Sequence, residues 1–92
     1  MPLHRGEEKG YDFDRMVYRF TMLDERDVLE FAISSAAMDD LEGASNTRPH
    51  QRDEQFARLR KIIEERAARK FYAAQPVQRG KEILLRSVDF RR

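Results

Sequence analysis

Apolar residues recur at helical spacing over a long stretch near the C-terminus. From Asp53 to Ala74 all but one of the intervals between them are three or four positions. They are Phe56, Leu59, Ile62, Ile63, Ala67, Phe71 and Ala74. At 100° per residue most of them fall in a stripe about 120° wide, which is the face that a helix turns toward a core. The spacing therefore predicts one long helix over residues 53–74.

Two shorter segments, residues 16–23 and 28–33, show the alternation that is typical of strands. The polar residues 24–27 separate them and predict a four-residue hairpin loop. The resulting register places three apolar pairs on one face: Met22 with Leu29, Phe20 with Phe31, and Tyr18 with Ile33. A slip by one residue would put Phe20 and Phe31 on opposite faces, so the pattern specifies its own register.

A short helix and a last strand complete the predicted elements. Ser34 and Ser35 can cap the helix, which is expected to end at about Glu42 because Gly43 is a natural C-terminal stop. Its expected inner face consists of Ala37, Met38 and Leu41. Residues 83–85, together with Val88, predict the last strand. A turn at Gln78-Arg79-Gly80 precedes it.

The order of these elements is strand, strand, short helix, long helix, strand. It predicts an α+β fold in which an antiparallel sheet of about three strands carries both helices on one face. Residues 1–10 contain Pro2, Gly6 and Gly10 and favour a mobile arm, with a short edge strand as the alternative. Residues 11–90 are then expected to form a single domain, since 92 residues suffice for one small core.

The charge is divided unevenly along the chain. Residues 1–47 carry five basic and eleven acidic side chains, a net charge of −6, whereas residues 48–92 carry thirteen and six, a net charge of +7. The halves can neutralise each other within the fold, which we favour because they must pack together. Alternatively, they make a dipolar molecule that associates head to tail.

The composition speaks against several kinds of chemistry. The chain has no cysteine, its only histidines are the separated His4 and His50, and its four glycines form no phosphate-binding motif. Ser34 and Ser35 have no nearby base and suit a capping role, while the adjacent Asp39 and Asp40 diverge on a helix and are expected to be surface charges. We therefore expect no metal, no cofactor and no enzymatic activity.

The segment from Tyr11 to Phe20 resembles part of a known family, and the likeness continues to Phe90. The further matching residues are Ala32-Ile33-Ser34, Ala37 to Leu41, Phe56, Arg60, Ile63-Glu64, Ala67 to Phe71 and Ser87 to Phe90. They are similar to short bacterial proteins catalogued as domain of unknown function 1488. The resemblance implies a small α+β domain, and it implies no activity, substrate or catalytic residue.

Two cations, Arg60 and Lys70, fall inside the apolar stripe of the long helix, while Arg58, Lys61 and Arg69 lie on its outward face. These five residues are the candidate interaction surface. The inward pair can snorkel, or Arg60 can bind a carboxylate of the acidic half or one across a dimer interface. A ligand-facing role is the alternative.

The sequence thus favours a small, non-catalytic, cytoplasmic interaction or accessory protein, with a homodimer or an unidentified protein as its partner. No apolar run approaches the roughly 20 residues of a membrane span, so no membrane partner is expected. The alternative is a nucleic-acid-associated or regulatory protein that uses the basic face of the long helix. Glu54 and Glu65 interrupt that face, and no aromatic residues interleave with the basic ones for base stacking.

Overall fold

The structure is a computed structural model that describes residues 3–25, 27–73 and 81–90. The strands are β1 (His4–Asp12), β2 (Val17–Asp24), β3 (Asp27–Ser34) and β4 (Ile83–Leu85). The helices are α1 (Ser35–Glu42) and α2 (Arg52–Ala73), and two 3-10 turns span Pro49–Gln51 and Ser87–Phe90. The predicted α+β class, with one short and one long helix, is confirmed.

The four strands form one mixed sheet in the order β1-β2-β3-β4. β1 and β3 flank β2 in antiparallel fashion, whereas β4 runs parallel to β3. The predicted sheet of about three antiparallel strands is therefore wrong in strand number and in the direction of the last strand. The chain leaves β3, passes through both helices on one face and returns beside β3, and such a helical crossover produces a parallel neighbour.

The predicted mobile arm is wrong for residues 4–10, which belong to β1. The strand was hidden in the sequence because its pairing with β2 shifts register between Arg5 and Glu8 and again between Glu8 and Gly10. Such bulges break the alternation that marks a strand. At the first bulge Gly6 approaches Thr21 so closely that an added Cβ would lie 2.4 Å from the threonine Oγ1.

The β2–β3 hairpin has the predicted register. Phe20 faces Phe31, and their rings stack with centroids 5.5 Å apart. The other predicted pairs, Met22 with Leu29 and Tyr18 with Ile33, also form. These side chains supply the sheet side of the core.

The predicted capping of α1 is confirmed. The Ser34 hydroxyl accepts a hydrogen bond from the Ala37 amide at 3.1 Å, and Gly43 ends the helix with a φ of 63°. Ala37 and Met38 are fully buried, as expected, and Leu41 is half-buried.

Helix α2 packs most of its predicted stripe onto the same face of the sheet. Phe56, Leu59, Ile63, Ala67 and Phe71 join the core cluster with the hairpin and α1. Ile62 does not, because its position at the edge of the stripe turns it outward with 50% of its surface exposed. The predictions for Ala74 and for the turn at residues 78–80 lie outside the described residues.

Candidate functional site

A groove lies between α1, α2 and the Ser87–Phe90 turn. Leu41, Ile62 and Phe90 supply most of its apolar lining, which we call its floor. The groove consists of two adjoining cavities of about 190 and 230 Å³ that share Leu41 and Phe90 in their walls. Ile62 contributes to the second cavity. We call this feature the α1–α2 groove.

The Ser87–Phe90 turn forms one wall of the α1–α2 groove, and Asp89 holds it in place. The carboxylate Oδ2 of Asp89 accepts from the Arg86 amide at 2.8 Å and from the Lys70 ammonium at 2.9 Å. Burial works to raise the pKa of Asp89, but these two donors outweigh it and hold the pKa below its ordinary value. The Ser87 hydroxyl adds a 2.6 Å hydrogen bond to Asp40 on α1.

This turn also corrects the prediction for Val88. The sequence pattern placed Val88 in the last strand, but β4 ends at Leu85 and Val88 lies in the 3-10 turn with 62% of its surface exposed. The strand stops there because the Arg86 amide binds Asp89. Val88 is therefore exposed and lines neither cavity, whereas the half-exposed Phe90 lines both.

Cations of α2 form a rim along the groove. Arg66 lies with its guanidinium carbon 6.0 Å from the centre of the Phe90 ring, and Arg69 lines the same cavity. Lys61 is exposed on the same helix and lines neither cavity. Within the described part of the chain, neither Lys61 nor Arg69 forms an ion pair, and the intervening Glu65 forms none either.

Two members of the predicted interaction surface, Lys61 and Arg69, therefore remain exposed and unpaired among the described residues. Arg58 turns away to bind Glu42, with its Nε 2.8 Å from the carboxylate. Sequence analysis missed Leu41 and Phe90 as groove residues. Only the tertiary structure shows that they share a cavity.

Arg60 and Lys70 form internal pairs. Arg60 lies 3.4 Å from Glu8 and 3.1 Å from Glu64, and it donates to the Gly6 carbonyl at 3.1 Å. Lys70 donates to Asp89 and to the Leu84 carbonyl, the latter at 2.7 Å. The guanidinium of Arg60 therefore binds β1, and the ammonium of Lys70 binds β4 and the C-terminal turn.

A buried polar network under the start of α2 was also missed. Arg52, whose side chain is 7% exposed, binds Asp39 at 2.8 Å and Gln55 at 2.6 Å, and its guanidinium lies over the Tyr11 ring. Asp39 further accepts from Gln55 and from the Thr47 hydroxyl. Burial works to raise the pKa of Asp39, but these donors lower it below its ordinary value.

The expectation that Asp39 is a plain surface charge is therefore wrong, whereas Asp40 is exposed as expected. Asp39 anchors Arg52, and Asp40 accepts from Ser87. Both aspartates lie on the short helix α1, and each faces a partner that is distant in sequence. The spacing of apolar residues within α1 does not predict such partners.

A second, wider depression of about 420 Å³ lies between β1 and the first turns of α2. At its edge the Tyr18 hydroxyl donates to Asp53 at 2.8 Å and lies 3.3 Å from Glu8. Burial first, and the Asp53 carboxylate second, raise the pKa of Tyr18, so its phenol stays protonated. The Tyr18–Asp53 hydrogen bond joins the start of α2 to the sheet.

Among residues 3–25, 27–73 and 81–90, no group of three or more histidine and carboxylate side chains is placed to hold a metal ion. His4 and His50 are both exposed and belong to different parts of the fold. None of the helices in these ranges is long and apolar enough to cross a membrane.

The geometry defines a small α+β domain whose mixed four-stranded sheet carries two helices on one face. The family described as protein of unknown function DUF1488 matches residues 6–85, and the chain belongs to this family. The resemblance noted in the sequence is thereby confirmed.

The fold is similar to the crystal structure of a protein of unknown function from the DUF1488 family of Shewanella loihica PV-4. The TM-score is 0.74 at 19% identity, and the alignment covers 90% of each chain. At this identity the likeness shows the fold alone. A comparison with curated proteins gives no match.

Proposed function

We propose that this protein is a non-catalytic, cytoplasmic interaction module that binds an acidic, partly apolar protein segment in the α1–α2 groove. The observation that carries the proposal is the apolar floor of Leu41, Ile62 and Phe90 beside Arg66 and Arg69. Of these two cations, Arg69 is exposed and forms no ion pair with any residue that the structure describes. Apolar surface supplies binding free energy, while charged residues on the rim select the partner and speed its approach.

The polar chemistry of the groove supports binding rather than turnover. Its hydroxyl group, that of Ser87, donates to Asp40, and no imidazole lies beside it among the described residues. Activation of a serine needs an adjacent base that is itself oriented by a third group. The cytoplasmic location is supported by the cysteine-free sequence, which has no need of an oxidising compartment.

A random-peptide display library, selected on the immobilised protein, tests the proposal without a known partner. Wild type is expected to enrich peptides that combine Asp or Glu with aliphatic or aromatic residues, and higher salt should weaken their binding. Ile62→Glu, which puts a carboxylate at the exposed edge of the floor, should abolish this enrichment. Ala57→Glu is the matched control, since it adds the same charge at an exposed position of α2 outside the groove.

Three results would contradict the proposal. If wild type and Ile62→Glu enrich the same peptides, binding uses another surface. If wild type enriches none, the groove binds no such segment. Turnover of a small molecule that is abolished by a single side-chain change would refute the non-catalytic assignment.

Nucleic-acid binding is the second candidate, because Lys61, Arg66 and Arg69 lie on neighbouring turns of one helix. Phosphate contacts by these cations would be strongest at low salt. Fluorescence anisotropy with labelled duplex and single-stranded DNA should then show binding that Lys61→Glu/Arg69→Glu removes. No binding at low salt would eliminate this candidate.

A further inference from the structure

We infer that helix α2 packs antiparallel against α2 of a second copy of this chain, which gives a two-fold symmetric dimer. The contact uses four residues on the outward side of the helix, Ile62, Glu65, Arg69 and Tyr72, which we call the outer stripe. All four are exposed. They follow one another at intervals of three, four and three positions, so they lie along one side of the helix.

The outer stripe faces away from the core. At 100° per residue its four members fall within about 80°, and its centre lies about 140° around the helix from the buried Ile63. Helix α2 therefore has two faces with apolar side chains. One packs on the sheet, and the fold leaves the other exposed.

The apolar residues of the outer stripe stand at its two ends. Ile62 exposes 50% of its surface and Tyr72 exposes 43%. The Tyr72 ring packs edge-on against the Phe71 ring, with centroids 5.3 Å apart, which limits its freedom before any contact with a second copy. The two ends lie about 15 Å apart along the helix axis. The order of spacings is the same in both directions, so an antiparallel copy brings Ile62 against the partner's Tyr72 twice.

The charges of the outer stripe complement each other in the same arrangement. Its midpoint is Ala67, and reversal about this point places Glu65 beside the partner's Arg69 and Arg69 beside the partner's Glu65. Among the described residues neither side chain forms an ion pair within its own molecule. A parallel copy in register would instead oppose Glu65 to Glu65 and Arg69 to Arg69. Charge therefore selects the antiparallel direction.

The symmetry of this contact limits the size of the assembly. The same surface is used on both molecules, so the contact is isologous and is complete in a dimer. It extends over about three helical turns, which is a small interface, so high protein concentration should be needed to form it. Salt should weaken it, because its ion pairs lie at an exposed surface.

The dimer also has a consequence for the α1–α2 groove. Three members of the outer stripe, Ile62, Glu65 and Arg69, line the second cavity of that groove. A second copy would therefore cover one side of the groove, and dimerisation would compete with the binding of a peptide. This competition rests on the proposed function, whereas the dimer itself does not.

Reversal of the two charges tests the inference with the full-length protein. Glu65→Arg and Arg69→Glu each bring like charges together across the contact, so each variant alone should be monomeric. An equimolar mixture of them should form a heterodimer, because one molecule then offers two cations and the other two carboxylates. Glu65→Arg/Arg69→Glu should restore the homodimer. Multi-angle light scattering should show wild type rising from the 10.9 kDa monomer toward twice that mass, and no further, as concentration increases.

Matched controls separate a loss of this contact from a general effect of charge. Ala57→Glu and Ala57→Arg add a charge of either sign at an exposed position of α2 outside the outer stripe, and both should dimerise like wild type. Circular dichroism should show that all variants are folded.

Four results would overturn the inference. They are a wild type that is still monomeric at about 1 mM protein, single variants that dimerise like wild type, a mixture that stays monomeric, and masses that grow beyond the dimer. Peptide enrichment by a wild type that stays monomeric would overturn the dimer and leave the proposed function intact. A dimer that enriches no peptide would do the reverse.

Discussion

Lys70 and Asp89 join the last turns of α2 to the C-terminal 3-10 turn through a contact of 2.9 Å between Nζ and Oδ2. The same carboxylate oxygen accepts from the Arg86 amide, so one aspartate ends β4 and positions Phe90. The cation that the sequence placed inside an apolar stripe thus binds the turn that forms one wall of the groove.

Asp89→Asn should destabilise the protein by roughly 1–2 kcal/mol. The substitution removes a charge-assisted hydrogen bond, and the partial exposure of Lys70 limits the loss. Urea unfolding followed by circular dichroism measures the change. Asp14→Asn is the control, since Asp14 lies in the exposed β1–β2 turn. Equal stabilities for both variants would show that the Lys70–Asp89 contact contributes nothing.

Stability should fall as the solution is acidified. The pKa values of Asp39, Glu42 and Asp89 are all lowered in the folded protein by bound donors. A carboxylate with a lowered pKa contributes stability that is present above its unfolded value, around pH 4, and that is lost as pH falls through the folded value. Unfolding free energies between pH 7 and pH 2.5 should therefore decline below about pH 4–5. Asp39→Asn should show a smaller decline, and an unchanged pH profile would contradict this assignment.

Arg52→Leu should be among the most damaging single substitutions, because it leaves Asp39 without its cation in a half-buried site. Breaking such a pair costs about 3–5 kcal/mol, whereas removing both charges costs less. Arg52→Leu/Asp39→Leu should therefore lose less stability than the two single variants add up to. A thermal-unfolding double-mutant cycle measures this coupling. Additive losses would mean that Gln55 and Thr47, rather than Arg52, satisfy Asp39.

Gly6→Ala should destabilise by about 1–3 kcal/mol, since its Cβ would lie 2.4 Å from the Thr21 Oγ1 and 2.5 Å from the Thr21 carbonyl oxygen. The backbone of β1 must shift to relieve these contacts, and shortening Thr21 alone cannot do so. Glu7→Ala, at the exposed neighbouring position, should change stability by less than about 0.5 kcal/mol. A Gly6→Ala variant as stable as Glu7→Ala would show that the bulge adapts without strain.

Local patterns determined the parts of this fold whose partners are near in sequence. Alternation and loop length set the register of Phe20 against Phe31, since a one-residue slip would reverse the faces. Helical periodicity set the inner face of α2, and a serine and a glycine bounded α1. Each of these features is decided by residues within a few turns or one hairpin of each other.

The tertiary structure alone decided what depends on distant contacts. The sequence did not predict β1, because its bulges break the alternation of apolar and polar residues. Its pairing with β2 is what holds it in a strand. β4 is parallel because the helical crossover returns the chain beside β3. Asp39 binds Arg52 because α1 packs beside the start of α2. Leu41, Ile62 and Phe90 share a groove because α1, α2 and the C-terminal 3-10 turn pack together. The sequence contains these residues but does not indicate which of them are in contact. Tertiary packing brings together side chains that no local sequence pattern relates.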